Sequence, residues 1–104
     1  MIQRNSHSND IEVDQQRQQF IKGMVVEQGA KWMDNYKPGT VGCHELLDRT
    51  ALIADLVEQH LLGHPACAQD ADWFGLAQQA ATLLHELYQR IGVEHFSDES
   101  PAAT

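Results

Sequence analysis

The chain has 104 residues, 42% of them hydrophobic, and 15 acids against 7 lysines and arginines leave it a net charge of −8. One domain with a modest core is what this length allows, because folding at this size buries only about two-thirds of the unfolded surface. The acidity opposes attraction to nucleic acid and to anionic membranes, and no run approaches the roughly 18 apolar residues of a spanning helix, so neither nucleic acid nor membrane is expected as a partner.

The opening "MIQRNSHSND" is polar and aperiodic and lacks the apolar core of a secretory signal. It predicts a mobile N-terminus over residues 1–10 and a cytoplasmic protein. The closing "SDESPAAT", residues 97–104, is expected to be mobile as well, which leaves a single helical domain over 11–96.

The first element, from Asp14 to about Asn35, reads as a helix that Asp14 caps, with Phe20, Ile21, Met24, Val25, Gln28 and Trp32 largely on one side. Gly23 and Gly29 speak against it, since a glycine inside a helix costs about 1 kcal/mol relative to alanine. An alternating strand through Ile21, Gly23 and Val25 is the competing reading. Pro38 and Gly39 then mark a turn.

A second helix is expected from about Gly42 to Leu62, capped by Thr40 or Gly42. Cys43, Leu46, Leu47, Thr50, Ile53, Ala54, Val57 and Leu61 share one face at 100° per residue, and Leu52 and Leu56 form another strip. A helix apolar on two sides is normally buried on two sides, here by its own chain and by a partner subunit. Gly63 and Pro65 end it, and Asp70 or Asp72 caps the next. That third helix, about Asp72 to Ile91 with Gly92 closing it, carries the stripe Trp73, Leu76, Ala77, Ala80, Leu83, Leu84, Leu87, Tyr88 and Ile91.

These elements predict an all-α fold, an antiparallel helical hairpin with the N-terminal helix packed outside it. A hairpin alone leaves an apolar face wet, so the chain is expected to close a helical bundle by homo-oligomerisation, as a dimer or higher. Cys43 and Cys67 fall about 30 Å apart if a helix separates them, against the roughly 7 Å a disulfide spans, so free thiols in a reducing compartment are expected.

Four residue patterns suggest chemistry. In "HELLD", His44 and Glu45 match the start of a zinc-protease helix, but Asp48 stands where the second histidine belongs, so a polar i, i+4 pair of His44 with Asp48 is the alternative. "CHELLDRT" has the C-x5-R-T frame of a cysteine-phosphatase loop, and its "LLDRT" is similar to the "CLDRT" ending in Sac-type phosphoinositide phosphatases. That resemblance covers eight residues and implies Cys43 as nucleophile, Arg49 gripping phosphate oxygens and Thr50 assisting the thiol's departure. Otherwise Cys43 is core and Glu45 pairs with Arg49 along the helix.

The third pattern is the side of the second helix that carries Glu45, Arg49 and His60, where Arg49 would anchor a small anionic molecule or a protein partner at an interface, with His44 and Asp48 nearby. The fourth is His60-x3-His64-x2-Cys67, whose donor types and histidine spacing suit zinc or nickel, most readily shared across a dimer. The reading taken forward is a binding protein, homo-oligomeric, that acts as an inhibitor, an adaptor or a small-ligand sequestering protein. No residue is assigned a catalytic role and no cofactor is expected. Phosphatase activity through Cys43 and Arg49, and metal binding through His60, His64 and Cys67, stand as alternatives.

Overall fold

The computed structural model describes residues 6–97, and every regular element among them is helical. They are α1 (Ser6–Gln28), a 3-10 turn (Trp32–Asn35), α2 (Val41–Val57), a π-helical turn (Glu58–Leu62), α3 (Pro65–Ala68) and α4 (Ala71–Ser97). The all-α expectation holds. The mobile ends expected at 1–10 and 97–104 lie largely outside the described residues, except that residues 6–10 already belong to α1 and Ser97 ends α4.

By its internal contacts the chain divides between Asp34 and Asn35 into two compact units. In the first, α1 is the helix that was expected, with both of its ends corrected. The strand through Ile21, Gly23 and Val25 gives way to helix, and Gly23 sits on an open helical surface with no neighbour near its Cβ position. Asp14 lies inside the helix and caps nothing; its carboxylate accepts from Arg17 at 2.8 and 2.9 Å, an i, i+3 pair. Gly29 ends α1 some six residues earlier than expected by taking a left-handed φ of +97°, and its N–H bonds to the Val25 carbonyl at 2.8 Å. Trp32 therefore stands on the 3-10 turn and not on the helix. The apolar residues of α1 form no sharp stripe, and Phe20 and Val26 are exposed.

In the second unit, contacts ascend α2 as they descend α4. His44 meets His95, the side chain of Leu47 reaches to within ordinary contact of Gly92, and Glu58 meets His85. The buried positions are Cys43, Leu47, Thr50 and Ala54 on α2 with Ala77, Ala81 and His95 on α4; Val57, Leu84 and Ile91 are half-buried. The α2 set advances by alternating steps of four and three residues, and the α4 set does the same with the exposed Tyr88 standing between Leu84 and Ile91, the spacing that keeps one line of a helix against its neighbour. Ala77 and Ala81 are small enough to let the axes approach. Among the described residues no large side chain is fully buried.

Local chemistry fixes the ends. The Thr40 hydroxyl accepts from the Cys43 N–H at 3.2 Å, which decides the cap between Thr40 and Gly42. Gly42 is a packing glycine: a Cβ there would fall 2.3 Å from the Asn35 carbonyl oxygen and 2.5 Å from the Tyr36 ring. At the far end the helix widens into a π turn, closed when the Gly63 N–H bonds back five residues to the Glu58 carbonyl at 3.1 Å. His64 is extended before Pro65, as a residue preceding proline tends to be, and the Asp70 carboxylate caps α4 by accepting from the N–H of Asp72 and of Trp73. The expected loop contains the short α3, and α4 runs through Gly92 to Ser97 where an end at Gly92 was expected.

Candidate functional site

The seam between α2 and α4 consumes one line of each helix. A quarter turn from it, at 100° per residue, α2 carries Leu46, Arg49, Ile53 and Leu56, and α4 carries Trp73, Leu76, Ala80, Leu83 and Leu87. Because contacts run up one helix and down the other, both rows fall on the same side of the pair. The apolar members are open to solvent: Leu76 is 56% and Leu83 60% exposed, and Leu46, Ile53, Leu56, Trp73 and Leu87 are all exposed too. The opposite side carries His44, Asp48, Asp55 and Glu58 of α2 with Gln78, His85 and Gln89 of α4, tied at one point by His85 to Glu58 at 2.7 Å. Sequence reading placed Leu46 and Ile53 in the same stripe as Cys43; the structure separates that stripe into a buried line and an open row.

Glu45 and Arg49 form the i, i+4 pair that was expected, 3.0 Å apart with both side chains exposed. Arg49 stands in the open row and spends part of its fork on Glu45; the rest faces solvent. His60 lies in the π turn, its exposed side chain near the same flank. The ligand-binding set Arg49, Glu45, His60, His44 and Asp48 is thus divided: the first two bracket the apolar face, whereas His44 and Asp48 face the polar side and meet each other at 3.6 Å.

His44 has a further partner that the sequence reading did not single out. Its Nδ1 lies 3.3 Å from Nε2 of His95, which is 6% exposed, and Nδ1 of His95 accepts from the Gly39 N–H at 2.9 Å. The edge of the Phe96 ring meets the His95 ring at 4.8 Å between centroids. The signal was present: extending the row Ala77, Ala81, Leu84, Tyr88, Ile91 by its own alternation lands on His95.

Two arrangements are not assembled. The "CHELLDRT" segment is helix from end to end and not a loop, with Cys43 buried on the seam while the Arg49 guanidinium, about a third of a turn away, is exposed. The Thr50 hydroxyl donates to the Leu46 carbonyl at 2.8 Å. No cradle joins the three groups that a phosphate would need. Of His60, His64 and Cys67, His64 is committed to capping α3, its Nδ1 accepting from the Ala66 N–H at 3.0 Å, and among the described residues no three histidine, cysteine or carboxylate side chains gather as a metal would require. Cys43 and Cys67 are free thiols.

A shallow groove on α4, lined by Gln89, Arg90, Val93 and Glu94, belongs to one helix surface, and its Arg90 is paired to Glu86. Among the described residues no helix is long and apolar enough to cross a membrane. No family model matches the chain, and no curated protein and no solved structure is similar to it.

Proposed function

We propose that this chain is a binding protein, an inhibitor, adaptor or sequestering protein in the cytoplasm, that works as a homo-oligomer. Its copies meet on the open face of the α2–α4 hairpin and close a helical bundle there, and the flank carrying Glu45, Arg49 and His60 takes a protein partner or a small anionic ligand. The observation that carries this is the row of exposed side chains Leu46, Ile53, Leu56, Leu76, Leu83 and Leu87, which both helices contribute to one side of the pair.

Magnitudes favour association over a lone hairpin. Full burial of a large apolar side chain is worth about 1.5–3 kcal/mol, so covering the exposed half of these side chains on two copies recovers on the order of 10 kcal/mol. Losing translational and rotational freedom costs about 4–15 kcal/mol, a cost of the same size that this gain offsets where shape complementarity is good. Arg49 suits an anion because its planar fork binds two oxygens at once and Glu45 fixes one edge of it. The free thiols Cys43 and Cys67 are compatible with a reducing compartment.

The test is native mass spectrometry and sedimentation of the full chain beside an Ile53→Glu/Leu83→Glu double variant. The wild-type chain should sediment as a dimer or higher and the variant as a folded monomer with an unchanged helical spectrum. A wild-type monomer at every concentration would overturn the reading. For the flank, Arg49→Ala should leave the mass unchanged and remove any co-purifying anion.

A further inference from the structure

We propose that Gly39, His95 and His44 form a proton-operated latch that holds the segment 35–40 to the end of α4 at neutral pH and releases it on acidification. This inference stands apart from the oligomer, since it uses the polar side of the hairpin.

The hydrogens can be assigned from one end. A backbone N–H can only donate, so the Gly39 N–H at 2.9 Å requires a lone pair on Nδ1 of His95. A neutral imidazole then carries its hydrogen on Nε2, and Nε2 points at Nδ1 of His44, 3.3 Å away, which must therefore accept. His44 in turn carries its hydrogen on Nε2, facing the Asp48 carboxylate at 3.6 Å. Every nitrogen is used once, and the donors run in one direction from Gly39 to Asp48.

No extra proton fits this chain. A proton added at Nδ1 of His95 confronts the Gly39 N–H directly. A proton added at Nδ1 of His44 confronts Nε2–H of His95, and while the two rings stay in contact the conflict is relieved only if His95 gives up its Nε2 hydrogen and takes one at Nδ1. That shift again places two N–H groups face to face at Gly39. Uptake at either ring thus ends at the same broken bond, and the half-exposed His44 can receive the proton that the buried His95 transmits.

Several ionisable groups stand on the elements that meet here. From α2, Asp48 faces His44, Cys43 is buried beside them and Glu45 faces away toward Arg49. The segment itself carries Tyr36 and Lys37, and α4 carries Glu94 next to His95. Histidine is the side chain suited to a switch of this kind near neutral pH, and the latch is shut while both rings are neutral and open once a further proton is taken up. What it holds is a segment that Thr40 joins to α2 through the N–H groups of Cys43 and His44 and that packs Asn35 and Tyr36 against Gly42; Gly39 on His95 adds the bond to α4, and Gly39 sustains a left-handed φ of +91° there.

The experiment is an NMR titration of the full, 15N-labelled chain from pH 8 to pH 5, reading the ring nitrogens of both histidines and the Gly39 amide, with His95→Asn as the second sample. At pH 8 both rings should be Nε2–H tautomers. On acidification the exchange protection of the Gly39 amide, corrected for its intrinsic pH dependence, should fall roughly five- to tenfold, the worth of one hydrogen bond. His95→Asn retains an acceptor near the Nδ1 position and cannot titrate, so its Gly39 amide should stay protected. An Nδ1–H tautomer of His95 at pH 8, or a Gly39 amide that keeps its protection while both histidines gain protons, overturns the latch. So does an acid response of equal size in His95→Asn; if that variant does not fold, the tautomers and the wild-type Gly39 amide still decide.

Discussion

Two glycines of the α2–α4 unit make opposite predictions, and the difference lies in what a methyl group would meet. Gly42 is pressed beneath the segment before it, where an added Cβ would lie 2.3 Å from the Asn35 carbonyl oxygen. Backbone cannot rotate away as a side chain tip can. Gly42→Ala should therefore cost about 1–3 kcal/mol, as overpacked sites do, and a urea melt of the full chain measures it. Gly75 in α4 has nothing near its Cβ position, so Gly75→Ala should stabilise by about 0.5–1 kcal/mol through helix propensity alone. Equal effects at the two sites would mean that the Asn35 contact is not made in solution. Thr40→Ala removes the acceptor of the Cys43 N–H and should cost about 1 kcal/mol by the same measurement.

Along the helices the useful contrast is between neighbours. Leu47 is 3% exposed on the seam and Leu46, one residue earlier, is 51% exposed on the open row. Leu47→Ala should cost about 2–5 kcal/mol at any protein concentration. Leu46→Ala should change the melting of a dilute, dissociated chain by less than about 0.5 kcal/mol and matter only when copies associate. The caps and breakers were legible because they are local: Thr40, Gly63, Pro65 and Asp70 act through bonds to residues within five positions. The ends of α1 were not, because a polar opening such as "SHSND" carries no periodic signal and Gly29 reads equally as an interruption or as an end until its φ is known. His95 was missed for the complementary reason. Its role depends on a partner 51 residues earlier, and only the register between α2 and α4 brings the two together. Spacing within "CHELLDRT" misled in the same manner, since a loop and a helix with identical residues present Cys43 and Arg49 differently.

For the assembled protein the charge matters as much as the apolar face. Each copy carries −8, so two copies approaching face to face repel, while the leucines between them carry no charge and Arg49 stands in their row. Salt shortens the reach of that repulsion, from about 30 Å at 0.01 M to about 8 Å at 0.15 M, without weakening apolar burial. Association should consequently tighten as salt rises over that range, and the melting temperature should climb with protein concentration in proportion to the extent of association. Sedimentation at the two salt concentrations, with the Ile53→Glu/Leu83→Glu chain as a monomer reference, measures it. A dimer that loosens with salt would instead mean that opposite charges meet across the interface. Arg49 on a partner's carboxylate is then the first pair to test, because it stands among the exposed leucines of α2. In that case Arg49→Ala should abolish the salt dependence while leaving a weaker dimer held by the leucines, and the ligand anchor and the subunit contact would be one residue.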